Sequence, residues 1–196
     1  SFLCVPLERS EKGMEYFMKL LLTRHGETNW NKEGKIQGIT DIELNDNGRE
    51  QAIKTSDKLK DEEIDLILSS PLKRARETAE IISKNNNIPI IICDELKERT
   101  FGNFEGKTKY DFNFKEIFNY KLNVNYEGIE SMGDLFHRVH GFIEKIKDEY
   151  SEKNILLVTH GGVAVAVRIY FEGIPEGMEV IEGFGIKNCE VIKYEI

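Results

Sequence analysis

Cysteine is scarce in this chain: of 196 residues only Cys4, Cys93 and Cys189 carry thiols, and they lie far apart. Neither a disulfide framework nor a structural zinc spacing can be built from them, and a reducing, cytoplasmic setting is the simplest expectation. Long apolar runs are missing too. The longest apolar tract, 155–171, is interrupted by His160 and Arg168 and does not read as a membrane span. Positive charge is in deficit, with 27 Lys and Arg against 35 Asp and Glu, which argues against a nucleic-acid-coating surface. Proline occurs four times and no Pro-, Gly- or Ser-rich linker divides the sequence, so one globular domain is expected. Residues 1–17 mix Arg9, Glu11 and Lys12 with scattered apolar residues and lack the layout of a secretory signal. They are expected to be an N-terminal extension to a domain spanning 18–196.

Short runs rich in Ile, Leu and Val occur at 19–23, 65–69, 88–92 and 155–159, nearly continuous in apolarity, as strands buried on both faces are. Between them the sequence predicts helices at 46–60, opened by Asn45, and at 72–85, 132–150 and 162–171. The alternation predicts an α/β fold, a three-layer sandwich with a mostly parallel central sheet flanked by helices. Within 132–150, Met132, Leu135, Phe136, Val139, Phe142, Ile143 and Ile146 recur at the helical period and form one packing stripe. Asn85-Asn86-Asn87 reads as a C-cap and turn. Lys187-Asn188-Cys189, between two β-favouring runs, reads as part of a terminal hairpin or an edge pair. An edge strand there leaves monomer and homodimer both open.

In open α/β sheets ligands bind beyond the carboxyl ends of the strands. Three polar clusters follow predicted strands directly: Arg24-His25-Gly26, Ser69-Ser70-Pro71-Leu72-Lys73-Arg74, and Thr159-His160-Gly161-Gly162. Each taken singly has an ordinary explanation as a solvated arginine or a tight turn. Together, two histidines and two arginines at one sheet end make a cationic cluster within an acidic protein, and helix N-termini there favour an anion further. A phosphoryl group fits such a cluster. A neutral imidazole can attack phosphorus near pH 7, and a neighbouring guanidinium can hold two phosphoryl oxygens.

Over most of 18–196 the chain resembles the histidine phosphatase superfamily, also called the phosphoglycerate mutase-like family. The opening motif corresponds to Arg24-His25-Gly26-Glu27-Thr28-Asn29-Trp30-Asn31, followed by Gln37-Gly38, Asp41, Leu44, Gly48 and Gln51-Ala52. Ser69 to Ala75 with Thr78-Ala79 resembles the second motif, Leu96 to Gly106 the acid-bearing loop, and Thr159-His160-Gly161-Gly162 the closing motif, with Glu130-Ser131 ahead of the expected helix. The resemblance implies His25 as the nucleophile that becomes phosphohistidine, and Arg24, Arg74 and His160 as the phosphate pocket. It implies Glu98 as general acid and base, and Asn31 and Gly161 as further substrate contacts. It implies no metal and no cofactor, and a small phosphorylated metabolite as partner. Opposite protonation states of His25 and Glu98 would give a bell-shaped pH dependence with an acidic to neutral optimum.

Residues 107–128 occupy the place of a substrate lid. Cofactor-dependent phosphoglycerate mutases carry a longer insertion with adjacent arginines, whereas residues 100–137 contain no arginine and offer Lys107, Lys109, Lys115 and Lys121 instead. Hydrolysis of phosphomonoesters is therefore expected, with a mutase and a non-catalytic phospho-ligand binding module as alternatives. The aromatic residues Tyr110, Phe112, Phe114, Phe118, Tyr120 and Tyr126 either contact substrate or pack the lid, and the helical spacing of Phe114 and Phe118 favours packing. His137, His140 and Glu144 have a spacing compatible with metal ligation, but the adjacent apolar stripe accounts for that helix as a packing element.

Overall fold

The computed structural model describes residues 18–181 and 184–196; the expected extension at 1–17 lies outside the described residues. Five strands, β1 (Lys19–Arg24), β2 (Leu66–Ser69), β3 (Ile90–Ile92), β4 (Ile155–Thr159) and β5 (Val191–Glu195), form one sheet in the order β3-β2-β4-β1-β5. The first four are parallel, and β5 returns antiparallel to β1, with Leu20 opposite Tyr194 and Leu22 opposite Ile192. Of the two alternatives for the tail, the edge pair is the one formed.

The near-continuous apolarity of the central strands follows from the layers above and below them. Because side chains alternate along a strand, Leu20, Leu22, Leu66, Leu68, Ile155 and Leu157 pack with α5 (Met132–Glu149) and α6 (Gly161–Glu172). Leu21, Ile67, Leu156 and Val158 face the other way and meet α2 (Asp46–Leu59) and α3 (Lys73–Ser83) through Leu59, Ala75, Ala79 and Ile82. This is the three-layer sandwich. Each fully buried Leu or Ile contributes about 1.5–3 kcal/mol by leaving water. The stripe on α5 is buried except for Phe136, which is half-buried against the same core.

Helix starts obey side-chain chemistry. Asn45 Oδ1 accepts from Gly48 N at 2.8 Å and Ser131 Oγ accepts from Asp134 N at 3.1 Å, each satisfying an otherwise orphaned amide. Two short helices, α1 (Asn29–Lys32) and α4 (Phe114–Ile117), complete the set. The asparagine triplet does form a turn, but Lys84 caps α3, and only Asn87, with φ 50°, takes the left-handed conformation. The run at 88–92 differs from its prediction. Its strand has three residues, lies at the sheet edge, and leaves Ile91 and Ile92 42% and 45% exposed. No helix among the described residues is long and apolar enough to cross a membrane.

Candidate active site

β1, β2 and β4 end side by side, and the three polar clusters that follow them meet at one end of the sheet around a cavity of about 320 Å³. Arg24, His25, Asn31, Arg74, Glu98 and Gly161 all line it. His25 is held from several sides. Its amide donates to Thr159 O at 2.9 Å, and its carbonyl accepts from Asn188 Nδ2 at 2.7 Å. Its Nδ1 lies 2.7 Å from Gly26 O. A carbonyl can only accept, so Nδ1 carries the proton and Nε2 keeps its lone pair. Burial, with Arg24 and Arg74 alongside, holds its pKa well below the ordinary histidine value, and the ring is neutral at pH 7.

The loop after His25 is built by close backbone contact. A Cβ on Gly26 would lie 2.4 Å from Gly48 O, and one on Gly48 would lie 2.1 Å from Glu27 O, so only two glycines permit α2 to approach the loop this closely. Gln51 Oε1 then accepts from Glu27 N at 2.9 Å, and Thr78 Oγ1 accepts from Gly26 N at 3.0 Å. Asn31 Oδ1 accepts from Thr28 N at 3.1 Å and so closes the capping box of α1.

Arg74, in the first turn of α3, is fully buried and donates to Gly38 O at 2.7 Å and Thr40 O at 2.8 Å. Those carbonyls are themselves fixed by Glu105, whose carboxylate accepts from Ile39 N, Thr40 N and Phe101 N at 3.1, 2.9 and 3.1 Å. Arg24 donates from Nη1 to Ile186 O at 3.2 Å. The Nε atoms of both arginines are buried without an acceptor. Burial lowers the Arg24 pKa and brings that of Arg74 to about 10, leaving both cationic at neutral pH. Two guanidiniums with unspent donors beside a neutral imidazole are chemically suited to an anion.

His160, expected in the phosphate pocket, belongs to the same cluster as His25, Arg24 and Arg74. It is fully buried beside His25, ring centroids 5.2 Å apart, with Nε2 2.7 Å from Ser70 Oγ and Nδ1 unpartnered. Burial, then Arg74, His25 and Arg24, hold its pKa well below the ordinary value too. Glu98 lines the same cavity. Its carboxylate accepts from Arg99 N at 2.9 Å and from Gly162 N, at the start of α6, at 3.1 Å. A Cβ at position 162 would come within 2.6 Å of Glu98 Oε1, so the second glycine of the closing motif makes room for the acid. Lys97 pairs with Asp94 at 3.0 Å, leaving Glu98 to the cavity.

The lid divides its aromatic residues between two jobs. Phe114 and Phe118 stack at 4.1 Å and also line the cavity, whereas Tyr110 is 86% exposed and Phe112 stacks on Phe104 at 4.3 Å. His140 packs between Phe136 and Tyr170 with Nε2 3.0 Å from Ala166 O, and His137 is exposed. No group of three or more His, Cys, Asp or Glu among the described residues is arranged to hold a metal ion. Sequence reasoning missed Asn188, Glu105 and Arg99. Only the placement of Arg99 directly after the acid, within the third motif, offered a signal.

The description Histidine phosphatase superfamily (branch 1) fits residues 20–196. A Bacillus subtilis (strain 168) protein named Uncharacterized phosphatase PhoE is 40% identical over 152 residues, 78% of this chain and 76% of that one. Phosphoserine phosphatase 1 of Hydrogenobacter thermophilus is 33% identical over 149 residues, 73% of this chain and 71% of that one. The crystal structure of an Entamoeba histolytica phosphoserine phosphatase with 3-phosphoglyceric acid superposes with TM-score 0.78 at 30% identity, covering 90% and 89% of the two chains. With its histidine-bearing strand end, its buried arginine pair and this breadth of similarity, the chain belongs to the histidine phosphatase superfamily, branch 1.

Proposed function

We propose that the protein is a metal-independent phosphomonoester hydrolase that works through a phosphohistidine on His25. The observation that carries this reading is the state of that imidazole: neutral, its Nδ1 proton committed to Gly26 O, in a cavity wall shared with two cationic guanidiniums that keep unspent donors. The unspent donors of Arg24 and Arg74, with the Asn31 amide, would hold the phosphoryl oxygens. His25 Nε2 attacks phosphorus, the P–O bond to the leaving group breaks, and Glu98 delivers a proton to the departing oxygen. Glu98 then takes a proton from water as the water oxygen attacks phosphorus and the P–N bond breaks, its electron pair returning to His25 Nε2, which leaves His25 neutral and frees inorganic phosphate. The guanidiniums supply the charge that a metal supplies elsewhere, stabilising the equatorial oxygens where negative charge accumulates.

The substrate would be a small phosphorylated metabolite, since the cavity of about 320 Å³ suits a phosphoryl group and a compact leaving group. The test is phosphate release from p-nitrophenyl phosphate in EDTA, for the wild-type protein and His25→Ala. Turnover in the wild type, with a phosphoryl label trapped on His25 by rapid quench, and none in His25→Ala is the expected result. Unchanged turnover in the variant refutes the nucleophile assignment. Binding of phosphate or vanadate without turnover would return the protein to a phospho-ligand binding role, and efficient interconversion of 3- and 2-phosphoglycerate would make it a mutase.

A further inference from the structure

Glu98 sits on an irregular stretch of chain. It follows the short turn Asp94–Leu96, and this segment carries the carboxylate from the edge strand β3 to the cavity at the ends of β1, β2 and β4. A segment without helix or sheet bonding must find partners for its backbone carbonyls elsewhere. One side chain takes two of them. Arg138, near the start of α5, donates from Nη1 to Glu95 O at 2.5 Å and to Lys97 O at 3.1 Å. The second carbonyl belongs to the peptide unit that leads directly into Glu98. Between them, Leu96 O accepts from Thr159 Oγ1 at 2.9 Å, and beyond the acid Thr100 O accepts from Glu130 N at 3.2 Å.

Arg138 is itself braced. Its Nε and Nη2 donate to the two carboxylate oxygens of Glu130 at 2.8 and 2.7 Å, the parallel pairing that fixes the plane of a guanidinium. The pair is mostly enclosed, with side chains 24% and 18% exposed. Glu130 stands immediately before Ser131, the residue that caps α5, and its own carbonyl accepts from Arg99 Nε. An ion pair at a surface would be worth little. This one differs because the nitrogen it leaves over is spent on the acid-bearing segment. The Glu98 carboxylate accepts from the amides of Arg99 and Gly162, and the first of these moves with that segment. Where the acid reaches therefore follows where the 97–98 peptide is held.

We propose that Arg138, braced by Glu130, is a positioning residue for the general acid: it fixes the backbone that carries Glu98 and so the reach of the carboxyl to the leaving oxygen. Arg138 itself lies outside the cavity lining. The proposal rests on the acid role given to Glu98 above.

The test measures kcat/KM for p-nitrophenyl, phenyl and benzyl phosphate, whose leaving oxygens need a proton increasingly in that order. This constant reports transfer to His25 and leaves out the later hydrolysis of the phosphohistidine. A misplacement of about 1 Å can cost about a hundredfold, so in Arg138→Gln the value for benzyl phosphate should fall by about ten- to a hundredfold. That for p-nitrophenyl phosphate should change less than about threefold, since its leaving group departs without help, and its persistence certifies the variant's fold. Adding Arg138→Gln to Glu98→Gln should lower the benzyl value by less than about twofold more, because the residue being positioned is already gone. Arg138→Lys keeps the charge but not the fork; it should lose about tenfold on benzyl phosphate, and it carries the test if the glutamine variant does not fold.

Equal losses on all three esters overturn the proposal, as do losses that multiply in the double variant or a wild-type benzyl value in Arg138→Lys. If Glu98→Gln alone spares benzyl phosphate, or the wild type turns over only the nitrophenyl ester, the acid role of Glu98 fails and this proposal with it. Failure to hydrolyse any of the three overturns the phosphatase reading itself.

Discussion

Glu98 is held by two backbone amides whichever way its proton moves, and a glutamine could accept only one of those hydrogen bonds through its carbonyl. In Glu98→Gln the leaving oxygen would depart unprotonated. We expect kcat for alkyl phosphates to fall by about 10²–10⁴-fold and that for p-nitrophenyl phosphate much less, because p-nitrophenolate leaves without help. Equal losses on both substrates would count against the proton-donor role. His25 sets a second expectation. Its pKa is lowered by burial, then by Arg24 and Arg74, so the neutral, nucleophilic form persists as pH drops through the ordinary histidine range. The acid limb of kcat/KM should lie below about pH 6.5, and a limb at or above that value contradicts the buried neutral ring. His25 was legible in the sequence because it sits immediately after a strand, whereas Glu98, beyond the 94–96 turn, was legible only through the resemblance of its loop to the family's acid-bearing motif. Asn188 and Glu105 were not, since the first reaches His25 across 163 positions and the second works through the backbone of a loop 65 positions away.

Elements announce themselves when their own side chains enforce them. Asn45 and Ser131 each accept from the amide three residues on, and both helices begin where the sequence placed them. Ser131→Ala should cost about 1 kcal/mol of stability, read by urea denaturation, with kcat for p-nitrophenyl phosphate changed less than twofold. The strand at Ile90–Ile92 was the poorer expectation: three isoleucines look the same in the middle of a sheet as at its rim, and only the strand order reveals that no described strand pairs beyond it. Helix α4 shows the same ambiguity from the other side. Its Phe114 and Phe118 have the spacing of a packing pair and do stack, yet the same rings wall the cavity, so packing and substrate contact were never exclusive alternatives.

The molecule as a whole buries two neutral histidines side by side, and this couples its stability to pH. Both rings have folded-state pKa values held below the ordinary one, so below about pH 6.5 the unfolded chain takes up protons that the folded chain refuses. The stabilisation is complete above that range and is lost as pH falls through the lowered values. The melting temperature should therefore drop between pH 7 and pH 4.5, and the drop should be smaller in His160→Asn, which removes one of the two rings. A slope unchanged by that substitution would show His160 to be protonated already. Vanadate, which resembles the five-coordinate phosphoryl transition state, should raise the melting temperature in turn, by about 2.7 kcal/mol of stabilisation at a hundredfold excess over its Kd.

The return of β5 alongside β1 has a further consequence for how the chain comes to life. β1 receives both of its sheet neighbours, β4 and β5, from the far end of the sequence, and the side chain that pins the His25 carbonyl arrives only at Asn188. His25 is thus made 163 positions ahead of the side chain that pins its carbonyl. A nascent chain that has not yet made residue 188 lacks that anchor on the His25 carbonyl, so the proposed activity should stay silent until synthesis has carried the tail home.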